Sequence, residues 1–497
     1  MNDFVYYITD HLNQIIGSIH LFFVELVLAL GFLLTIGSSL FLDKRWKNSS
    51  FIVSILTFIA GLIVLGTQYQ YYTIGFFGML TLDPLSFFAR ALILIGILIS
   101  CVYIHHDVQH KPNNKRVGDL YAMLIAACIG MNTLCLTSNW LLAFIALEMV
   151  SICSYIMVGY FAADKKQTEA AMKYALFGSV CAAVMLYGLS LIYGFTGNLD
   201  FASQRHIQGL IDAPEVMCSI ALLFVFTGIG FKLSFVPFHL WTPDVYEGAP
   251  TPITAFLSTI PKIAAVALFA RLAEAWISTQ FYFSDLSFLF ISFVAIVTML
   301  VGNLIALRQT EIKRMMAYSS IGHTGFLMMA IISYSSGQQQ MLLFYLVVYT
   351  LMNLASFGFI MLIERQINST NLKDYAGLGK KLPVLFSCFS FVGIALIGLP
   401  PTAGFVGKLL VFSSIFDLFQ NSQDSVFLWL LIVGALTSVI SLFYYFKIPL
   451  YAFLRNAEKE RTITSLSFST TYAIVILLTL GILIIGIFPS LLLHLIS

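Results

Sequence analysis

Apolar residues in this chain neither alternate nor mark a single stripe of a helix. They continue unbroken for roughly 17–25 residues at a time, the length that crosses a bilayer as a helix. Fourteen such runs can be delimited: 21–42, 51–68, 85–104, 120–136, 140–161, 171–193, 216–240, 252–276, 288–307, 315–333, 341–363, 382–419, 426–454 and 472–495. The twelfth is too long for one straight span and contains Leu399-Pro400-Pro401, so two half-helices are expected there. The pattern predicts an all-α polytopic membrane protein of about fourteen transmembrane helices.

Composition sharpens this. Of 497 residues, 59% are hydrophobic and only 10% charged, where a soluble chain carries about 25% charged residues. The net charge is +2. Disorder, nucleic-acid binding and an ordinary cytosolic enzyme are excluded, because so little charge cannot solvate a globular surface of this size. The solvent must be lipid. Seven cysteines are scattered through apolar stretches without a CxxC pair, and they read as small buried hydrophobes rather than a disulfide framework or metal site. Residues 1–20 hold Asp3 and Asp10 but no Lys or Arg. That start lacks the basic region of a cleaved signal peptide, so the first run is expected to stay as a helix.

Basic residues outside the runs or near their ends gather on one side. Lys44, Arg45, Lys47, Lys111, Lys115, Arg116, Lys165, Lys166 and Lys173 follow odd-numbered runs. So do Arg308, Lys313, Arg314, Arg365, Lys373, Lys380, Lys381, Lys447, Arg455, Lys459 and Arg461. The even-to-odd side has only Arg205 and Arg271. Basic loops remain cytoplasmic, so the expected location is a bacterial cytoplasmic (inner) membrane with both termini on the periplasmic side. The loop after the seventh run is the exception: it carries Asp244 and Glu247 and no base.

Four basic residues remain that neither side accounts for, each within a run: Arg90, Lys232, Lys262 and Lys408. Each costs about 2.5–3.5 kcal/mol at the centre of a span on insertion scales. Arg90 is close enough to a helix end to snorkel, and Glu25 sits where it could reach the interface or a neighbouring subunit. Lys262 has no such escape. A lysine can simply pair with an acid to lock helices together, but three lysines at middle depth with few acids nearby favour a functional reading. Glu148 is the clear mid-depth acid, and Lys232 is its expected partner. Desolvation disfavours a charged lysine and a nearby carboxylate favours it, so making and breaking such a pair can hold or release a proton. His323 can relay protons near neutral pH or be a plain buried histidine; both readings stand.

Prolines add a second signal. Pro237 follows Lys232, and Pro400 and Pro401 precede Lys408. Irregular backbone at membrane depth is tolerated only where protein buries it or where it lines an aqueous cavity. Breaks in helices 7 and 12, five apart, suggest two inverted five-helix repeats, helices 4–8 and 9–13, as in many secondary transporters. The corresponding division is 1–110, a three-helix segment; 111–280 and 281–457, the two repeats; and 458–497, the last helix.

The stretch Phe235-Val-Pro-Phe-His-Leu-Trp-Thr-Pro-Asp-Val-Tyr-Glu-Gly-Ala-Pro-Thr-Pro-Ile-Thr-Ala-Phe256 closely resembles the signature loop of the subunit N family of proton-translocating NADH:quinone oxidoreductase, respiratory complex I. Glu169-Ala-Ala-Met-Lys-Tyr-Ala-Leu-Phe-Gly-Ser179 and Leu399-Pro-Pro-Thr-Ala-Gly-Phe-Val-Gly-Lys408 are similar to the same family. The resemblance implies an antiporter-like, proton-pumping membrane-arm subunit with no redox centre, cofactor or metal of its own. Its partners would be the other membrane-arm subunits of a complex that uses NADH, flavin, iron–sulfur clusters and a quinone. It implies that Glu148 and Lys232 form an input-side charge pair, that Lys262 is the central proton carrier, and that Lys408 lies at the far side. Sister subunits share the fold; a lysine at 408 and the absence of a long lateral helix after the last span favour subunit N. A subunit of a stand-alone cation/proton antiporter and a passive membrane-arm scaffold are the alternatives.

Overall fold

In the computed structural model the described residues are 2–43, 46, 48–69, 72–109, 117–161, 164–277, 282–456 and 469–496. Lys44, Arg45, Lys47, Lys111, Lys115, Arg116, Lys459 and Arg461 lie outside them. So do the expected domain boundaries at 110/111, 280/281 and 457/458.

Among the described residues, fourteen helices are long and apolar enough to cross a membrane: α1 His11–Leu42, α2 Ser49–Gly66, α3 Pro84–Gln109, α4 Gly118–Leu136, α5 Trp140–Val158, α6 Lys165–Thr196, α7 Glu215–Leu233, α8 Thr251–Ile277, α9 Tyr282–Ala306, α10 Ile312–Ser335, α11 Gln339–Ile367, α12 Ala403–Ser422, α13 Ser425–Leu454 and α14 Thr470–Ile487. A shorter apolar helix, Pro383–Ile397, precedes α12. Burial sorts the helices into a centre and a perimeter. The apolar stretch of α8 is wholly buried, and those of α10 and α11 nearly so. In α1, α6, α13 and α14 most of it faces outward, as with Leu33, Val180, Val439 and Leu477. Helices that are apolar all round suit a lipid or subunit-facing surface.

The two breaks are helix ends, not kinks. The seventh run was expected to continue to residue 240, with Pro237 interrupting it from inside. Instead α7 stops at Leu233, Ser234 turns left-handed at φ 61°, and the amide of Phe235 donates to the carbonyl of Gly230 (3.2 Å). Pro237 therefore lies beyond the helix, in the link to the short helix Trp241–Gly248. Carbonyls at the end also take side chains: Trp241 Nε1 donates to Phe231 O (3.1 Å) and Thr324 Oγ1 donates to Leu233 O (2.9 Å). At the other break, Pro383–Ile397 ends on Gly398, whose φ of 86° suits a residue without Cβ. Thr402 then caps α12, its hydroxyl accepting from the amide of Phe405 (3.4 Å).

Packing also overturns the expectations for Arg90 and Glu25. Neither reaches an interface: Arg90 Nη2 pairs with Glu25 at 2.9 Å, and both side chains are fully buried. Arg90 Nη1 donates to Gln68 Oε1 (3.0 Å). Pairing is cheaper than snorkelling here because α1 and α3 bury both charges, which must then find each other. Arg271, near the end of α8, is paired too: it meets Asp83 at 2.9 Å and donates to Cys135 O (3.0 Å).

The acidic loop after α7 is balanced across space. Asp244 meets Lys173 (2.8 Å) and Arg314 (2.7 Å), and Glu247 meets Arg314 (3.0 Å). Burial alone would raise the carboxyl of Asp244, but the hydrogen bonds from Lys173 and Arg314 outweigh it and hold the group below its ordinary value.

Candidate functional site

Lys262 occupies the middle of the most buried helix and is 1% exposed. Its ammonium donates to Ser320 Oγ (2.8 Å), Thr324 Oγ1 (3.1 Å) and Ser320 O (3.3 Å). All three acceptors are neutral. Ser320 and Thr324 are one turn apart on α10, so their side chains share a face. Thr324 in turn donates to Leu233 O, which ties this shell to the residue following Lys232.

Lys232, the last-turn residue of α7, is buried and its ammonium has no hydrogen-bond partner. The ring of Phe231 lies 5.9 Å away. Glu148, on α5, is half-buried, and together with Lys232 and Ser151 it lines a small cavity of about 10 Å³, roughly the space of one water. The expected Glu148–Lys232 pair is thus brought together across a gap rather than as a contact ion pair.

Lys408 completes the series in a different way. Its ammonium donates to Ile397 O (2.8 Å), one of the carbonyls freed by the break before α12, and to Ser438 Oγ (3.3 Å). The face of Phe326 lies 4.7 Å from it. Between Lys262 and Lys408 stands His323, within electrostatic reach of both, its Nδ1 2.9 Å from Tyr345 OH.

Sequence reading missed the neutral partners. Tyr349 OH donates to Ser258 O (2.8 Å) and lies 2.9 Å from Ser320 Oγ. Tyr345 and Tyr349 stand one turn apart on α11, facing Ser320 and His323 on α10. The available signal was the i, i+4 spacing of Ser320/Thr324 and Tyr345/Tyr349 in helices that are otherwise apolar. What the cluster can do chemically is pass protons: amines, an imidazole and hydroxyls follow one another through a buried zone, and the hydrogen-bond partners of Lys262 and Lys408 are all neutral.

A family model described as NADH:quinone oxidoreductase/Mrp antiporter, TM, matches residues 137–441, more than half of the chain and all five of these ionisable residues. The chain belongs to this family. It is 39% identical over 388 residues to an NADH-quinone oxidoreductase subunit N 2 of Chloroherpeton thalassium, covering 77% of this chain and 75% of that protein. It is 36% identical over 447 residues to an NADH-quinone oxidoreductase subunit N of Chlorobium chlorochromatii, covering 88% and 86%. Among solved structures, a chain of respiratory complex I from Thermus thermophilus superposes with a TM-score of 0.78 at 29% identity, over 95% of this chain and 98% of that one. The matched range includes both breaks and the whole lysine series.

Proposed function

We propose that this chain is the antiporter-like subunit of a bacterial NADH:quinone oxidoreductase and carries protons along Glu148, Lys232, Lys262, His323 and Lys408. The observation that supports the path best is Lys262: buried at the centre of α8, with three neutral acceptors and no acid in contact. A cation held this way can lose its proton to a neighbour without leaving a carboxylate unpaired. Glu148 and Lys232, facing each other across a water-sized gap, form the input pair; a change of charge on Glu148 alters the field at Lys232 and then at Lys262. Lysine suits the task because its amine titrates when desolvated, whereas a guanidinium stays charged.

In this reading NADH, flavin, iron–sulfur clusters and quinone act in other subunits, and this chain contributes no redox step. The basic face is cytoplasmic and both termini are periplasmic, in the inner membrane. The two inverted five-helix units, α4–α8 and α9–α13, each supply one broken helix and one lysine beside the break.

Lys262→Ala and Lys262→Arg in the assembled complex should each nearly abolish proton pumping in membrane vesicles, the arginine because it keeps charge without titration. Full pumping by either variant removes Lys262 from the path. The family description also names Mrp antiporters, so a stand-alone cation/proton antiporter is the second reading. It requires that the chain purify without NADH dehydrogenase activity. A passive scaffold would pump normally with Glu148, Lys232 and Lys262 all neutralised.

A further inference from the structure

Two side chains from outside α7 hold its end, and one of them also touches Lys262. A helix that stops inside a protein leaves its last carbonyls short of amides. Leu233 O is such a case. Pro237, four residues on, has no amide to offer, and the amide of Val236 goes to Thr298 Oγ1 (3.1 Å). The donor to Leu233 O is the hydroxyl of Thr324, on α10, at 2.9 Å. Two residues back, Phe231 O takes the amide of Ser234 (3.3 Å) and Trp241 Nε1 (3.1 Å). Lys232 stands between these two carbonyls, buried and without a hydrogen-bond partner for its ammonium. Its place is therefore set by the turn that carries it.

Thr324 has one hydroxyl hydrogen and more than one acceptor for it. A threonine inside a helix can bond the carbonyl four residues back, here Ser320 O at 3.0 Å. Lys262 biases that choice twice over. Its ammonium donates to Ser320 O (3.3 Å), competing for the same carbonyl, and to Thr324 Oγ1 itself (3.1 Å). A hydroxyl that accepts from a cation is a stronger donor in turn, and with Ser320 O shared its hydrogen is directed to Leu233 O. A neutral amine reverses both influences. It has a lone pair, so it can accept from the Thr324 hydroxyl across the same contact, and it has one hydrogen fewer to place on Ser320 O. Each change draws the hydrogen of Thr324 away from Leu233 O. Thr324, Leu233 and Lys262 are all buried, and a buried carbonyl that loses its donor is costly.

We infer that Thr324 is the positioning residue through which the charge on Lys262 holds the end of α7, and with it Lys232, a role that rests on Lys262 being the carrier that gains and loses a proton. While Lys262 is charged, the hydroxyl stays on Leu233 O and the last turn of α7 is fixed. Once Lys262 has passed its proton on, the hydroxyl turns to the amine and the turn that carries Lys232 is released. Lys232 is thus free to move when Lys262 is empty and held when it is full, which orders the two sites. No covalent bond changes in the switch: one O–H rotates from the carbonyl at 2.9 Å to the nitrogen at 3.1 Å.

The test is a double-mutant cycle in the assembled complex, reading amide hydrogen exchange in residues 228–240 and proton pumping in vesicles. Thr324→Val keeps the shape and removes the hydroxyl; Lys262→Met removes the charge. Each alone is expected to raise exchange at least threefold, and the two together no more than either, because both act through one bond. Thr324→Val should also cut pumping at least tenfold, and Thr324→Ser, which keeps a hydroxyl, should leave exchange and pumping near wild type. Trp241→Phe is the contrast. It removes a donor to Phe231 O rather than one bonded to Lys262, so its effect on exchange should add to that of Lys262→Met. Additive effects of Thr324→Val and Lys262→Met, or wild-type exchange in either, overturn the tie. If Thr324→Val fails to assemble, Lys262→Met decides: raised exchange supports the tie and unchanged exchange overturns it. Pumping by Lys262→Met sinks the carrier itself, whereas additive exchange with pumping lost sinks only the tie.

Discussion

Arg90 and Lys262 are both basic, both buried within a membrane span and both far from bulk water, yet their surroundings are opposites. Arg90 holds a carboxylate at 2.9 Å with both side chains fully buried. Lys262 holds two hydroxyls and a carbonyl. Arg271 repeats the first pattern with Asp83, and Lys408, on a carbonyl and a serine, repeats the second. An arginine–carboxylate pair keeps its charge and is useful as a joint between helices. A lysine among neutral acceptors loses little when its proton leaves, and that is what a carrier requires. These rare buried charges thus stand in two kinds of surroundings, separated by residue type and by partner.

Exchanging the two roles would break this division. The largest effect is expected from Lys262→Met, which should eliminate pumping while leaving the melting temperature of the complex no lower than wild type, since it removes a buried charge that has no counter-ion. A collapse in stability with pumping retained would reverse the assignment. Arg90→Met should do the opposite: pumping per assembled complex persists, but stability falls by about 3–5 kcal/mol because Glu25 is left buried without its partner. Adding Glu25→Gln should recover much of that loss, which a thermal melt of the double variant would reveal.

His206 sharpens the comparison outside the spans. It is buried, its Nδ1 bonds Asn198 O (3.1 Å), and burial pushes it down to about 4. The unfolded chain therefore binds a proton more readily than the fold does between the ordinary value near 6.5 and about 4. Stability is fully present above about 6.5 and lost as pH falls through that window, by up to roughly 3 kcal/mol. His206→Gln should flatten the pH dependence of melting between those limits. The smallest effect is expected from Asp244→Asn, about 1 kcal/mol or less, because its ion pairs with Lys173 and Arg314 are partly exposed. The depressed carboxyl of Asp244 makes that contribution present above its ordinary value near 3.9 and lost as pH falls below it, so wild type and variant should converge under strong acid.

Much of this architecture was legible in the chain. Runs of apolar residues report local transfer into lipid, so fourteen spans could be counted from sequence alone, and fourteen helices long and apolar enough to cross stand among the described residues. Rarity made Glu148, Lys232, Lys262 and Lys408 visible, since a charge in a span has to be explained. Partners were not legible. Glu25 is 65 residues from Arg90, and Ser320 is 58 residues from Lys262; no local pattern links such pairs. Prolines marked where helices stop but not how: α7 ends at Leu233, ahead of Pro237, because a left-handed Ser234 turns the chain first.

By itself the sequence determined that the chain lives in a membrane, how often it crosses, which face is basic and which family it resembles. Those properties are sums over neighbouring residues, and lipid reads them one segment at a time. Only the tertiary structure decided which buried cations are locked to acids and which are left among hydroxyls. That choice depends on which helices pack together around α8, and in a medium of low polarity the nearest partner determines whether a charge is fixed by an acid or left free to exchange its proton.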